Sequence, residues 1–434
     1  MQLMQVCQST TGIHDAGRSS IRATSAVARR VSRPGLLMML CGSLWCGRAA
    51  AQDEIDAARK AKVNFNGVYV TPTLQLKELG IDSNVFNRNG EQTPDFTTTL
   101  SPGADLALPF AHRVLVTSHV DMDFVYYARY ANQRSINPNV SVGAKGFLRR
   151  VTLFADGHYL NSRQRLNQEI DARARRLDKS AGAGIDVKIF PKISTSVSAR
   201  SGRVDYADAQ VFRDVDLRQS LAEDLSSATA AISFKATPLT TFVLRGQAQR
   251  DRFLFSPFKS SDSYRLTPGV EFKPRALISG SAYIGFGRFT PQNALVPRFS
   301  GAVAALSLRY VLRSATALTA TADRDVQYSY LEIEPYFVST SAGLLLRRQL
   351  AGAFDATVGA QRFNYAYRDL LPAGLNPAAP RVDITYNLSS DVGYRLGRKA
   401  RLGVGVSYWT RTSNKASEVG YSGFRFGSTL SYGV

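Results

Sequence analysis

The chain has 434 residues, with 54 lysines and arginines against 34 aspartates and glutamates, and a formal net charge of +20. Its three cysteines, Cys7, Cys41 and Cys46, all precede Gln52, which excludes a disulfide framework, a thiolate metal site and a cysteine nucleophile from the rest of the chain. The basic residues are scattered through turns and loops without a nucleic-acid motif, which excludes a nucleic acid as partner.

The N-terminal residues 1–51 have the layout of an export signal. Three arginines (Arg29, Arg30 and Arg33) precede an apolar run at 35–45 (GLLMMLCGSLW), and small residues at 49–51 offer a cleavage site. The run is too short to cross a bilayer as a helix, and no later run approaches ~18 apolar residues. We therefore expect 1–51 to be a signal peptide with an upstream segment, and 52–62 to be a short periplasmic lead.

Residues 63–434 alternate between apolar and small or polar side chains, which is the period of a β-strand. Leu402, Val404 and Val406, for example, alternate with Gly403 and Gly405. A soluble β-sandwich would show the same alternation, but its strands average about five or six residues. The runs here are about twice that length, which favours a strand that crosses a membrane.

The connections between these runs alternate between short turns and longer loops. Short, basic or Pro-containing turns are predicted near 109–113, 149–150, 191–192, 238–239, 274–275, 313–314, 350–353 and 398–399. Strands are predicted near 66–78, 96–107, 113–128, 138–148, 151–161, 179–190, 193–206, 224–236, 239–253, 262–273, 276–288, 299–311, 316–330, 335–348, 353–367, 382–396, 401–412 and 421–433. This arrangement is typical of a transmembrane β-barrel of the bacterial outer membrane.

The predicted fold class is therefore all-β, a single closed antiparallel barrel over 63–434, of about 18 strands or 16 if one hairpin is miscounted. Closure is required because an open sheet edge in hydrocarbon leaves backbone amides unpaired. Short turns and both termini are expected on the periplasmic side. A barrel of this width holds a water-filled channel unless something plugs it.

Three stretches carry a family resemblance: 70–86 (VTPTLQLKELGIDSNVF), 234–250 (FKATPLTTFVLRGQAQR) and 315–330 (ATALTATADRDVQYSY). They resemble the putative β-barrel porin 2 family of bacterial outer-membrane proteins, over essentially the whole mature chain. Members of that family often accompany genes for surface-polysaccharide synthesis and export. The resemblance implies an outer-membrane barrel that serves such a polysaccharide, with polysaccharide export proteins as possible partners. A nutrient-uptake porin, or a plugged structural barrel, is the alternative.

The last predicted strand resembles the C-terminal signal that outer-membrane assembly machinery recognises. Phe424, Phe426, Leu430, Tyr432 and Val434 share one face. Such signals usually end in an aromatic residue, and here Val434 takes that position. We expect the assembly machinery to be a partner of this strand.

Charged side chains on the water-facing parity predict a lumen of mixed charge. These lumen-facing candidates are Asp121, Lys188, Arg200, Arg245, Glu271, Arg309, Asp323, Asp325, Arg347, Arg395 and Arg425. No acidic loop has the spacing of a calcium site. The sequence therefore predicts a passive conduit, not an enzyme, without cofactor or metal and with a slight preference for anions.

The most distinctive predicted loop spans 163–178 (RQRLNQEIDARARRLD) and carries Arg163, Arg165, Arg173, Arg175 and Arg176. It could fold into the lumen as a constriction, or stand outside as an extracellular loop with a fragment of helix. Basic loops could bind lipopolysaccharide phosphates or attract an acidic glycan. They could also be no more than solvated barrel ends.

Two further groups have competing interpretations. His119 lies beside Asp121 on one face, but without a serine motif the pair does not predict a hydrolase. Aromatic residues near strand ends predict an interfacial girdle facing lipid, or stacking platforms for sugars facing the lumen. They are Tyr126, Tyr127, Tyr130, Phe253, Phe255, Phe258, Tyr328, Tyr330, Tyr365 and Tyr367.

Overall fold

The computed structural model describes residues 63–90, 92–110, 113–274, 276–313, 315–370, 380–397, 399–415 and 419–433. The predicted signal peptide (1–51) and periplasmic lead (52–62) lie outside these residues. No helix in the described ranges has the length and apolar character needed to cross a membrane. The strands are β1 (Val63–Phe65), β2 (Val68–Asp82), β3 (Asp95–Phe110), β4 (Val114–Tyr127), β5 (Ser135–Phe147), β6 (Val151–Arg165), β7 (Arg173–Lys188), β8 (Ile193–Tyr206), β9 (Val211–Phe212), β10 (Val215–Asp216), β11 (Glu223–Lys235), β12 (Thr240–Phe253), β13 (Ser261–Phe272), β14 (Ile278–Pro291), β15 (Phe299–Leu312), β16 (Thr316–Tyr328), β17 (Tyr336–Gln349), β18 (Phe354–Arg368), β19 (Val382–Leu396), β20 (Ala400–Ser413) and β21 (Tyr421–Tyr432), and one short helix, α1 (Leu217–Leu221), follows β10.

Eighteen strands, β2–β8 and β11–β21, form one closed antiparallel ring in the described part of the chain. Consecutive barrel strands pair with each other, and the ring closes where β2 pairs with β21, from Leu74 opposite Tyr432 to Asp82 opposite Arg425. The predicted fold class is thus confirmed. Closure leaves no sheet edge whose backbone amides would face lipid unpaired.

The closing seam is irregular in the middle of β2. The register to β21 shifts between Leu76 and Leu79, and Glu78 has a positive φ of 56°. Gly80 follows the bulge, and a Cβ there would lie 2.0 Å from the carbonyl oxygen of Phe426. Only glycine allows the two backbones to approach this closely.

The apolar face of the strands is the exposed one. In β20, Leu402, Val404 and Val406 are each 46% exposed, whereas Arg401 and Arg411 are 1% and 2% exposed. A soluble sandwich buries its apolar face, so this distribution is the reverse of a soluble protein and is that of a barrel in lipid. Lipid covers the outward side chains, and the polar side chains face the interior.

The connections alternate in length as the sequence predicts. The barrel strands are joined by eight turns of three to five residues at one end and by nine loops of seven to sixteen residues at the other. In outer-membrane barrels the short turns are periplasmic and the long loops extracellular. The long-loop end is therefore the extracellular mouth of this barrel.

The interpretation of 163–178 as one loop is wrong. β6 runs to Arg165 and β7 starts at Arg173, so the connection is only 166–172, and Arg163 lies opposite Arg175 in the ladder. Like charges across a strand pair disfavour pairing, which is why the sequence suggests a loop. Here Arg163 donates to the Asn132 carbonyl (2.5 Å), and Arg175 donates to the Asn161 side chain (2.9 Å).

The lipid-facing aromatic girdle is also wrong for most of the residues named for it. Tyr126 and Phe255 are 44% and 46% exposed. Five of the others are at most 6% exposed, namely Tyr127, Phe253, Tyr330, Tyr365 and Tyr367. Tyr365 and Tyr367 share the inward parity of β18 with Asp355, so their rings pack inside the barrel at its extracellular end.

Candidate conduit through the barrel

All eleven predicted lumen-facing side chains lie on the inner face of the wall, and their role in solute passage stays a prediction. Most of those with identified contacts form ion pairs with side chains of opposite charge. Arg245 donates to the Tyr283 hydroxyl (3.0 Å), which in turn donates to Glu271. Arg265 on β13 pairs with Asp325 on β16 (3.1 Å), three strands away around the ring. The inner wall is thus lined by compensated charges of both signs.

The remaining candidates fall into two sets by their surroundings. Arg200 contacts Asp156, and Arg425 contacts Glu78 and Asp82 at 2.5 Å each. Lys188, Arg309 and Asp323 share the inner face with these pairs through the strand register.

The His119 ring lies between two carboxylates in the middle of the wall. Its Nδ1 lies 2.6 Å from Asp105 and its Nε2 lies 2.8 Å from Asp121. Asn139 also donates to Asp121 (2.9 Å). Asp105, on the neighbouring strand β3, is the partner that sequence reasoning missed. Both ring nitrogens bind carboxylates, so the arrangement does not contain the serine–histidine contact of a hydrolase.

A group of charges at the periplasmic end, the base cluster, surrounds Asp355. Arg347, Arg395 and Arg401 approach its carboxylate at 3.3, 3.3 and 2.6 Å, and Asp355 is 0% exposed. Arg401 also contacts Asp391. The five residues come from the adjacent strands β17 to β20, so the contacts run along the wall.

The connection between β6 and β7, the mouth segment (166–172), folds inward at the extracellular end. Asn167 starts its turn, because its side-chain oxygen accepts from the backbone N–H groups of Glu169 (2.8 Å) and Ile170 (2.7 Å). Leu166 and Ile170 are 4% and 1% exposed. They pack in an apolar cluster whose other members are Ala174, Val204, Tyr206, Phe212, Leu217, Leu221, Phe253 and Tyr330.

Polar contacts then join the mouth segment to distant parts of the ring. Ser329, between β16 and β17, donates to the Glu169 carboxylate at 2.6 Å. Arg411 on β20 donates to the Glu169 carbonyl at 3.2 Å. Between the β6–β7 and β16–β17 connections lie eight strands in one direction and ten in the other. The contact with Ser329 therefore crosses nearly the full width of the mouth.

Further charged residues complete this mouth network, which comprises Glu169, Lys259, Ser329, Asp383 and Arg411. Lys259 is 1% exposed and donates to the Ser329 carbonyl at 2.8 Å. Arg411 donates to Asp383 at 2.6 Å. Arg381, on the loop before β19, also pairs with Asp383 (2.7 Å) and with Glu334 (3.0 Å). The network links the β6–β7, β12–β13 and β16–β17 connections to the extracellular ends of β19 and β20.

Burial shifts the two titratable loop residues of the mouth network toward neutrality. It raises the pKa of Glu169 to about 7, against the opposing effect of the Ser329 hydrogen bond and of Arg411. It lowers the pKa of Lys259 to about 8. Burial also raises the pKa of Asp171, which lies 3.6 Å from Arg411.

The predicted constriction residues contribute unequally to the mouth. Arg165 donates to the carbonyls of Asn84 (3.3 Å) and Val85, and so ties the base of the mouth segment to the β2–β3 loop. Arg176 pairs with Asp178 at 2.7 Å within β7. Arg163 and Arg173 line a cavity of about 250 Å³ beside the segment. The described residues contain no group of three histidines or carboxylates placed to hold a metal ion.

The chain is similar to one protein family and to several solved structures. The family model described as putative beta-barrel porin 2 matches residues 67–430. Among curated proteins, none matches the chain. It is similar to solved structures from Pseudomonas aeruginosa. The TM-score to OccK3 (OpdO) is 0.45 at 14% identity, with 84% of this chain and 95% of that chain covered. The TM-score to OccK7 (OpdD) is 0.42 at 12% identity, with 85% and 99% of the two chains covered, and that to the siderophore receptor PirA is 0.41 at 9% identity, with 86% and 81% covered.

Proposed function

This chain belongs to the putative beta-barrel porin 2 family, and we propose that it is a passive outer-membrane conduit whose extracellular mouth is narrowed by the mouth segment. The observation that carries the proposal is the contact of Glu169 with Ser329 across the mouth, at 2.6 Å. A segment packed at this place reduces the free cross-section. Small solutes pass around it, and extended polymers do not while it is docked. The conduit needs no cofactor and performs no catalytic step.

The test is single-channel conductance in planar bilayers. In one variant, residues 167–171 are replaced by Gly-Gly, which removes the inward contacts and leaves the strand ladder intact. In the matched control, Ala294 and Leu295, exposed at the tip of the β14–β15 loop, are replaced by the same dipeptide. We expect a small wild-type conductance, a higher conductance in the first variant, and no change in the control. Equal conductance in all three proteins would exclude the narrowing.

The same recordings separate the conduit from a plugged structural barrel. A wild-type protein that inserts but passes no current, together with a variant that conducts, would mean that the mouth segment closes the pore completely. We expect current in the wild type, with a slight preference for anions because the chain as a whole carries a surplus of positive charge.

Service to the export or assembly of a surface polysaccharide is a second proposal. It is supported by the family membership and by basic residues of the extracellular loops such as Arg213, which could attract an acidic glycan. For a polymer to pass, the mouth segment would have to undock. A deletion strain with unchanged surface polysaccharide and slower uptake of a small solute would reject this role in favour of nutrient uptake.

The partners and the processing of the chain are part of the same proposal. We propose that the outward face of β21, with Phe424 and Phe426 exposed by 49% and 54%, is presented to the outer-membrane assembly machinery. Lipopolysaccharide then surrounds the extracellular rim. N-terminal sequencing of the mature protein should start near Gln52. A mature protein that retained the apolar run 35–45 would contradict the signal peptide.

A further inference from the structure

The cavity beside the mouth segment, the mouth cavity, is lined by two arginines and by no acidic residue of the described part of the chain. It lies between the β2–β3, β4–β5, β6–β7 and β8–β11 connections and has a volume of about 250 Å³. Arg163, Arg173, Gln133 and Gln210 supply its polar lining. A single water occupies about 30 Å³, so the cavity has room for a larger ligand.

The two arginines are unusual among the inner charges of this barrel. Arg200, Arg401 and Arg425 each contact a carboxylate. Within the described ranges, by contrast, neither Arg163 nor Arg173 forms an ion pair, and their direct acceptors are carbonyls and a hydroxyl. A third arginine, Arg175, lies opposite Arg163 in the β6–β7 ladder. Like charges held close together are stabilised by an anion between them.

Donor atoms of both side chains remain available. Nε of Arg163 and Nη1 of Arg173 are buried and have no hydrogen-bond acceptor among the residues described. Buried N–H groups of a guanidinium are costly to leave without an acceptor. Arg173 is also fixed in place: it lies over the Tyr127 ring (4.8 Å) and donates to the Ser135 hydroxyl (3.0 Å). Its guanidinium is therefore oriented before any ligand arrives.

We propose that the mouth cavity binds one anionic group, a carboxylate or a phosphate, through Arg163 and Arg173. Planar guanidinium groups match the geometry of both anions. The group belongs either to an acidic solute or glycan at the mouth, or to a phosphorylated lipid of the outer leaflet. This deepens the proposed function by naming a ligand class, and it rests on that proposal only for the route by which the anion arrives.

Binding is measured by isothermal titration on the mature protein in detergent free of lipopolysaccharide, with sodium phosphate, glucuronate and neutral glucose as probes. We expect phosphate and glucuronate to bind and glucose not to bind. The double variant Arg163→Gln and Arg173→Gln should bind the anions at least about tenfold more weakly, since it loses charge-assisted hydrogen bonds to the anion. Arg250→Gln, at a side chain that is 73% exposed, is the matched control and should bind like the wild type.

Heat-modifiable mobility on SDS gels checks that each variant retains the folded barrel. Absence of anion binding in the wild type, or equal affinity in the folded double variant, overturns the proposal. No conductance enters this measurement, so its failure would leave the conduit standing, and a silent channel would leave the anion site standing.

The source of the anion is resolved in vesicles. The phosphate titration is repeated with the protein in vesicles that contain lipopolysaccharide, and in vesicles whose lipopolysaccharide has been dephosphorylated. A lipid phosphate in the cavity weakens binding of free phosphate in the first preparation only. A site for solute or glycan binds free phosphate equally in both.

Discussion

The two ends of the barrel hold their buried charges in different ways. In the base cluster, Asp355 on β18 binds arginines from β17, β19 and β20, so every contact lies along the wall. In the mouth network, Glu169 is bound by Ser329 and Arg411, which arrive from other sides of the ring. Wall contacts reinforce the ladder and leave the centre open, whereas contacts across the mouth occupy the centre.

The difference separates stability from gating. The base cluster can be lost only together with the strands that carry it, because its residues belong to the ladder itself. The mouth segment has seven residues between the ends of β6 and β7, and it can leave its site while the ladder stays paired. Local opening of this kind needs less free energy than unfolding of the barrel.

The largest effect is expected at the base. Asp355→Asn leaves the buried Arg401 and the largely buried Arg347 and Arg395 around a neutral amide, and the loss of one partner from a buried charge cluster costs about 3–5 kcal/mol. The temperature of the heat-modifiable gel shift should fall clearly. Asp224→Asn removes the partner of Arg203 in an exposed pair, at 2.6 Å with side chains 41% and 56% exposed, and should cost at most about 1 kcal/mol. An equal fall in both variants would show that burial does not distinguish the base cluster.

The next effect is a pH dependence confined to the mouth. Because the pKa of Glu169 is about 7 when docked and 4.5 when free, docking is strongest below pH 4.5 and weakens as pH rises to 7. The full change is roughly 3 kcal/mol, about a hundredfold in the undocked fraction. Large-conductance events in bilayers should therefore become more frequent between pH 5 and 7.

The other charged residues of the mouth determine how much pH dependence remains in the variant Glu169→Gln. Lys259, with its pKa near 8, keeps its proton throughout this range. Asp171 and Glu334 have pKa values raised by burial and act in the same direction as Glu169. The rise in frequency of large-conductance events with pH should therefore be smaller in Glu169→Gln. It should stay unchanged in Glu332→Gln, which removes an exposed carboxylate on the β16–β17 loop. An unchanged rise in Glu169→Gln would remove this residue from the gating.

The smallest effect concerns the apolar packing of the mouth segment. Ile170→Val deletes one methylene from a side chain that is 1% exposed, which costs about 0.5–1.5 kcal/mol. Hydrogen exchange of the amides in 166–172 should accelerate by up to about tenfold. Ile333→Val, at a side chain that is 68% exposed, is the matched control. A lower unfolding temperature of the barrel in Ile170→Val would mean that mouth and wall are a single cooperative unit.

The barrel itself was predictable because each strand carries its own signal. The bounds of β8 and β19 match the predicted 193–206 and 382–396, since period-two alternation marks both faces along their whole length. Lumen parity followed in the same way for residues such as Arg245 and Arg425. These properties depend only on neighbours in the sequence and on the period of a strand.

The mouth could not be predicted in the same way. Its contacts join Glu169 to Ser329 and Arg411 across 160 and 242 residues of chain, and no local pattern selects such partners. Arg411 was within reach of parity reasoning, because it shares the inner face of β20 with Arg401. Lys259 was not, because its short loop has no periodicity. The lipid-facing interpretation of Tyr367 is wrong for a reason that the sequence does contain, because Tyr367 shares the parity of the inward-facing Asp355 on β18.

The seam between β2 and β21 requires both strands to be present before this barrel can close. Leu74 pairs with Tyr432, so the contact that closes the ring is also among the most distant in sequence. Closure therefore has to wait until β21 has been made, and a pairing this distant in sequence forms slowly. A product that ends even one strand early has two unpaired edges and cannot enter the bilayer as a finished barrel. β21, twelve residues long, must therefore pair with both β20 and β2 before the ring has no free edge.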